Sequence, residues 1–331
     1  MNRCQLFLIF ALVFGLGTTM ASAQLAPRVN IIESYRRQDP TGLGSFHRFG
    51  LFRELGNSNS LAAAAGEAGP SEAEKRGWYQ SFGEVFSMQF RANTMFFASD
   101  NIFNTEEDEI TDTQLAEFVG VSIDAQFNDN WKLTNSFDQA WFWHGKGAHS
   151  ANDFFTSTFR QALSYERLLF NDKVSLTVPL SWQFSRLFNR STGNRTLDSY
   201  TYGLATEFSW FLKSWMIPTF SYQYSYIDSG SPAGFVADKN KHDFNLGLTF
   251  IPFEGKRFFI IPSVQYSHEE FIDAGGRRDN AWTPTLTVSW QPLDYLAVDA
   301  VGSYTDSDST IAGSNFDALT GTVFVRLFYN W

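Results

Sequence analysis

From residue 173 to 185 every even position is apolar: Val174, Leu176, Val178, Leu180, Trp182 and Phe184. The odd positions run Lys173, Ser175, Thr177, Pro179, Ser181, Gln183 and Ser185. A two-residue period puts these sets on opposite faces of one extended strand. Residues 281–291 repeat the pattern, with Trp282, Pro284, Leu286, Val288 and Trp290 on one face and Thr283, Thr285, Thr287, Ser289 and Gln291 on the other. One face suits oil and the other water. Runs of this kind predict strands near residues 84–98, 115–127, 131–143, 154–169, 173–186 and 198–211. Six more follow near 215–226, 241–252, 257–269, 281–291, 294–304 and 316–331.

These runs match or exceed the roughly 9 to 11 residues a tilted strand needs to cross hydrocarbon, whereas globular strands average about 5 to 6. Their connections alternate in length. Asn128–Asn130, Asn171–Asp172, Leu212–Ser214, Phe253–Lys256 and Pro292–Leu293 are short and read as periplasmic turns. Ser99–Gln114, His144–Asp153, Leu187–Leu197, Ile227–Asn240, Glu270–Asn280 and Thr305–Asn315 are long, polar and read as external loops. An even count of twelve strands leaves both termini on the periplasmic side. An open sheet edge in lipid would leave N–H and C=O groups unpaired at several kcal/mol each, so the sheet must close. The fold predicted is all-β, a transmembrane antiparallel barrel.

Tryptophan placement supports this reading, since all ten lie at or near ends of predicted strands, as in an interfacial girdle. Trp131, Trp182, Trp210, Trp215, Trp282 and Trp290 are its candidate members. Trp282 and Trp290 are eight residues apart, about 27 Å along a strand at ~3.4 Å per residue. A tilt near 45° makes that roughly 19 Å of depth, comparable to an apolar band of about 25 Å. On the last strand Leu319, Val323, Val325, Leu327, Tyr329 and Trp331 share one face.

The chain opens with Arg3, an apolar run from Leu6 to Gly17, then Ala21, Ser22 and Ala23, the three regions of a secretory signal. Residues 1–23 are therefore read as a leader and Gln24 as the mature start. The apolar run is too short for a membrane helix, which needs roughly 20 residues. Cys4, the only cysteine, departs with the leader, so the mature chain has no thiol chemistry. Losing Arg3 leaves 24 basic residues against 35 acidic ones and moves the net charge from −10 to −11, which disfavours nucleic acid as a partner. The mean hydropathy of −0.22 would suit a soluble protein, but strand periodicity overrides that average.

With this leader, strand pattern and terminal strand, the sequence resembles the porin-like class of Gram-negative outer-membrane β-barrels. That resemblance implies an integral outer-membrane location and contact with lipid and lipopolysaccharide. It also implies recognition of Leu327, Tyr329 and Trp331 by the barrel-assembly machinery. Residues 78–331 carry the barrel pattern and 24–77 do not. Leu61–Gly77 is rich in Ala, Gly and charge and reads as a linker. Before it Phe46, Phe49, Phe52 and Leu55 recur every three residues, a spacing that suits an apolar stripe on a short helix. This segment is either a plug inside the barrel or a periplasmic extension.

The inward face is rich in small hydroxyl and amide groups, such as Thr219, Ser221, Gln223 and Ser225, or Ser263, Gln265 and Ser267. Eight strands enclose little more than side chains and sixteen leave an aqueous channel, so twelve suggest a narrow pore. A sparser set of inward charges, Arg91, Asp124, Asp138, Arg160, Glu166, Glu207, Asp243 and Arg326, is mixed in sign and forms no selectivity ring. If the following loop centres near residue 148, Asp138 faces residue 158 and Arg160 is within diagonal reach. The pair is then either an internal salt bridge or a constriction that orients a polar solute.

Some barrels of this size are lipases, deacylases or proteases. His149, Ser150, Asn152 and Asp153 are the rim residues that such chemistry could use. Adjacent strand residues point to opposite sides, which arranges His149 and Ser150 poorly. The acidic run with Asp100, Glu106, Glu107, Asp108, Glu109 and Asp112 does not match an EF-hand and reads as a solvated loop. Arg186, Arg190, Arg195, Arg277 and Arg278 lie at the rim, where phosphates of lipid could be met. No metal or cofactor is predicted. Passive passage of small hydrophilic solutes is the expected function, against an outer-membrane enzyme or a structural or adhesive barrel.

Overall fold

The computed structural model describes residues 86–330, apart from 102–110, 129, 147–152, 171–172, 191, 214, 231–237, 253–257, 273–275, 294 and 312–313. Six strands come first: β1 (Phe86–Ser99), β2 (Asp112–Gln126), β3 (Trp131–His144), β4 (Phe154–Leu169), β5 (Val174–Asn189) and β6 (Arg195–Trp210). Six follow: β7 (Met216–Gly230), β8 (Lys239–Phe250), β9 (Phe258–Phe271), β10 (Arg278–Leu293), β11 (Leu296–Ser309) and β12 (Phe316–Asn330). Each pairs antiparallel with its sequence neighbours, and β1 also pairs β12 from Gln89↔Asn330 to Ser99↔Thr320. The barrel is closed and no strand has a free edge.

Parity along each strand divides oil from lumen. Phe96, Val119, Phe137, Leu180, Leu204 and Leu286 are large apolar side chains exposed on the outside. Positions of the opposite parity turn inward and include buried Ser122, Ser136, Thr177, Ser225, Gln265 and Thr287. A water-soluble protein shows the reverse distribution.

At the long-loop end the strands run past the predicted bounds. Ten of the twelve strand ends there lie beyond them, among them Asn189 of β5, Arg195 of β6, Gly230 of β7 and Ser309 of β11. Beyond the hydrocarbon both faces are wet, so the alternation fades while backbone pairing continues. The connection predicted over Leu187–Leu197 is thereby reduced to residues 190–194, where Gly193 adopts φ +66° and Asn194 O accepts from Asn189 N at 2.9 Å.

Trp131, Trp210, Trp215 and Trp290 stand exposed at the short-turn ends, and Trp282 lies toward the opposite end of β10. Lys213 sits over the Trp215 ring at 5.2 Å, a contact suited to an interface. Trp182 departs from the expected girdle. It lies midway along β5, half-buried against Phe159 with ring centroids 5.6 Å apart, because β5 extends from Val174 to Asn189. On β12, Leu327 points outward and Tyr329 pairs with Phe90, while Trp331 lies outside the described residues, as do the leader and residues 24–77.

Leu286, near the middle of β10, is an outward side chain whose replacement by Arg should cost about 2–4 kcal/mol at the bilayer midplane. Urea unfolding in lipid vesicles measures this cost. Thr285→Ala, on the inward face, should shift the midpoint far less.

Candidate functional site

The lumen wall is assembled from the inward positions, and over β9 to β12 small hydroxyls dominate it. Thr283 Oγ1 and Thr305 Oγ1 are 3.2 Å apart across β10 and β11, and on β12 Thr320 meets Ser303 at 2.5 Å. On β5 and β7, Gln183 donates to Ser185 at 2.9 Å and Gln223 to Ser225 at 2.9 Å. Such pairs satisfy one another and also leave lone pairs for water.

Charges in this wall are mostly matched across the ladder. Asp138 lies opposite Thr158, as expected, yet its ion-pair partner is Arg91, whose Nη2 donates to Asp138 Oδ1 at 2.8 Å. Gly120 of β2 is in register with both residues, and the contact passes over it. A Cβ on Gly120 would fall 2.0 Å from Asp138 Oδ1 and 3.1 Å from Arg91 Nη2, so the pair depends on the absent side chain. Arg160 is buried on β4 within electrostatic range of Asp138.

The other candidates divide by strand. Glu166 pairs with Lys132 at 3.0 Å near the short-turn end of β3 and β4, and Arg326 donates to Asp299 at 2.7 Å. Glu207 lies opposite Ser221 and Thr177 and makes no ion pair among the described residues. Asp243 is the centre of a buried network. Lys241 lies 3.3 Å from it, Gln265 Nε2 donates to it at 2.9 Å, and the Ser267 hydroxyl donates to the same oxygen. Lys239 donates to Glu269 at 2.8 Å, and both Lys239 and Arg277 sit over the Phe271 ring, at 5.4 and 4.7 Å.

The predicted loops over residues 227–240 and 270–280 took in Lys239, Arg277 and Asp279, and Lys241 and Glu269, at the very ends of predicted strands, were not singled out as wall residues. The odd spacing of Lys239, Lys241 and Asp243 is the signal that places them on one face. Apolar side chains on the inner wall were not singled out either. Phe118 meets Phe142 edge-on at 5.6 Å, and Phe142 stacks on Phe154 at 4.4 Å. At the short-turn end of β7 to β9, Ile217, Ile251, Phe259 and Ile261 form a second cluster.

The proposed rim chemistry is not assembled in the described part of the chain. His149, Ser150 and Asn152 lie outside the described residues, and Asp153 is held by the backbone N–H of His144 at 3.0 Å and by Arg190 at 3.3 Å. Asp100 and Asp112 accept from backbone N–H groups of Leu319 at 2.8 Å and Thr113 at 2.7 Å, while Glu106 to Glu109 lie outside the described residues. The rim arginines face acids: Arg186 and Arg195 both reach Asp198, at 2.8 and 3.1 Å, Arg278 reaches Glu270 at 2.9 Å, and Arg277 pairs with Asp279. Among the described residues no group of three His, Cys, Asp or Glu side chains is placed to hold a metal ion.

In a double-mutant cycle, Arg91→Met and Asp138→Asn should each destabilise the barrel by about 1–3 kcal/mol, with the double variant well short of the sum. Gly120→Val should mimic the single losses. Unfolding midpoints of the four proteins give the coupling, and strict additivity would show the pair to be energetically idle.

No family model and no curated protein matches the chain. Among solved structures it is similar to an outer membrane channel from Pseudomonas putida F1, at 10% identity and a TM-score of 0.51, over 80% of this chain and 100% of that one. It is also similar to the translocator domain of the autotransporter NalP from Neisseria meningitidis, at 12% identity and a TM-score of 0.44, over 87% and 97% of the two chains. The outer membrane channel DcaP of Acinetobacter baumannii matches at 6% identity and a TM-score of 0.40, over 73% and 96%. The first likeness shows the fold alone, a closed antiparallel β-barrel.

Proposed function

We propose that this protein is an integral outer-membrane channel through which small hydrophilic solutes pass passively. The observation that carries the reading is the inner wall, where hydroxyl and amide side chains dominate and charges stand mainly in opposed pairs. A wall of this kind exchanges hydrogen bonds with water at little cost and offers no strong site to trap a solute. The similar structure from Pseudomonas putida F1 is an outer membrane channel, which supports the same reading. In this account residues 78–331 form the barrel with both termini periplasmic. Its outer face meets lipid and lipopolysaccharide, and the assembly machinery reads the terminal strand.

Paired charges also argue for weak ion selectivity, because no ring of one sign surrounds the lumen. Purified protein in planar bilayers should give discrete conductance steps with cation-to-anion permeability ratios within a few-fold of unity. A protein that inserts but passes no current would overturn the channel reading. Replacing Arg160 or Asp138 by a neutral residue should change the step size. Unchanged conductance with lowered stability would assign those residues to structure alone.

A further inference from the structure

We propose that His242 of β8 and His268 of β9 form a binding site for a divalent transition-metal ion on the outer face of the barrel. The two are far apart in the sequence, but the β8–β9 ladder sets them directly opposite each other. Their ring centroids are 6.2 Å apart and both rings are partly exposed. They share the outward parity of exposed Phe244 and of Tyr266, and each lies two residues nearer the long loops. Asn280, in register with His268, stands two residues beyond Trp282 in the same direction. At about 3.4 Å per residue that is roughly 7 Å past the tryptophan, out of the apolar belt and within reach of dissolved ions.

The bonds made by Nδ1 decide what Nε2 offers. His268 Nδ1–H donates to Asn280 Oδ1 at 2.8 Å, and the Tyr266 hydroxyl donates to the same oxygen at 2.8 Å, which fixes that atom as an acceptor. A neutral imidazole that donates through Nδ1 carries its lone pair on Nε2. His242 Nδ1 lies 2.9 Å from the Tyr222 hydroxyl, whose oxygen accepts from it in the same tautomer. Tyr222 is on β7 and Asn280 on β10, so the rings are anchored from opposite sides. Neither Nε2 makes a hydrogen bond among the described residues. Metal-binding histidines are oriented in this way, with one nitrogen tied and the other left for the ion.

A metal about 2.0–2.1 Å from each nitrogen requires the two Nε2 atoms to lie roughly 3–4 Å apart. Opposed residues on adjacent strands, with Cβ atoms about 4.5–5.5 Å apart, meet that requirement by a modest turn of each ring. Imidazole ligands suit copper, nickel or zinc, whereas calcium and magnesium take oxygen. Glu270 lies two residues further along the same face but is engaged by Arg278 at 2.9 Å, so the site is built on the two histidines. The remaining coordination positions stay open to water or to an oxygen anion.

The test uses full-length protein without a polyhistidine tag, reconstituted in lipid vesicles, with Cu2+ as the probe. Heat-dependent migration in gels first establishes that each variant forms its barrel. Wild-type protein should bind one more equivalent of Cu2+ than the double variant His242→Gln/His268→Gln, and that ion's electron paramagnetic resonance spectrum should be split by two imidazole nitrogens. Each single substitution should weaken binding by about 10–100-fold, and Asn280→Leu, which keeps both ligands and removes one Nδ1 anchor, by about 10-fold. Equal Cu2+ binding by wild type and double variant, or splitting by a single nitrogen, would overturn the site. The histidines would then serve only as hydrogen-bonding neighbours of Tyr222 and Asn280.

Discussion

Everything in this structure follows from the need to pair each backbone N–H and C=O without help from water. In hydrocarbon an unpaired group costs several kcal/mol, and only a helix or a closed sheet avoids the penalty. The ladder between β1 and β12 meets that need for the two strands that would otherwise be edges. Closure then dictates the side chains: with a period of two, each strand gives one row to lipid and one to the lumen. Leu286 beside Thr287 and Leu204 beside Ala205 express that division one residue at a time.

What closure encloses must in turn be satisfied from within. The lumen groups are hydroxyls that bond across strands, as Thr283 does with Thr305, and ions that meet an opposite charge on the adjacent strand, as Arg326 meets Asp299, or one strand further on, as Arg91 meets Asp138. Gly120 shows how backbone and side chain cooperate, because its missing Cβ opens the space in which Arg91 reaches Asp138 two strands away. The buried lysines on β8 persist for the same reason. Lys239 and Lys241 are held beside Asp243 and Glu269, which offset the cost of removing their charge from water.

The strand number, the two faces and the Asp138–Thr158 register were legible in the chain because lipid imposes a strict alternation that polar loops interrupt. The upper strand ends were not, since backbone pairing continues where lipid no longer sorts side chains, and this is where the Lys239–Glu269 network lies. Trp182 misled for a related reason: an aromatic outward side chain marks the interface only by preference, and here one sits at mid-strand. The choice of Arg91 as the partner of Asp138 depended on a glycine in the strand between them, a three-strand coincidence that no single run of sequence displays.

The central claim is that alternate residues of each strand face lipid and lumen. Nitroxide labels placed singly from Ala281 to Ser289 on β10, in protein reconstituted into bilayers, test it through their collision rates with oxygen dissolved in the lipid. The account predicts a two-residue oscillation, with maxima at Trp282, Pro284, Leu286 and Val288 and minima at the odd positions between them. A flat profile, or one with its maxima at Thr283, Thr285 and Thr287, would contradict it.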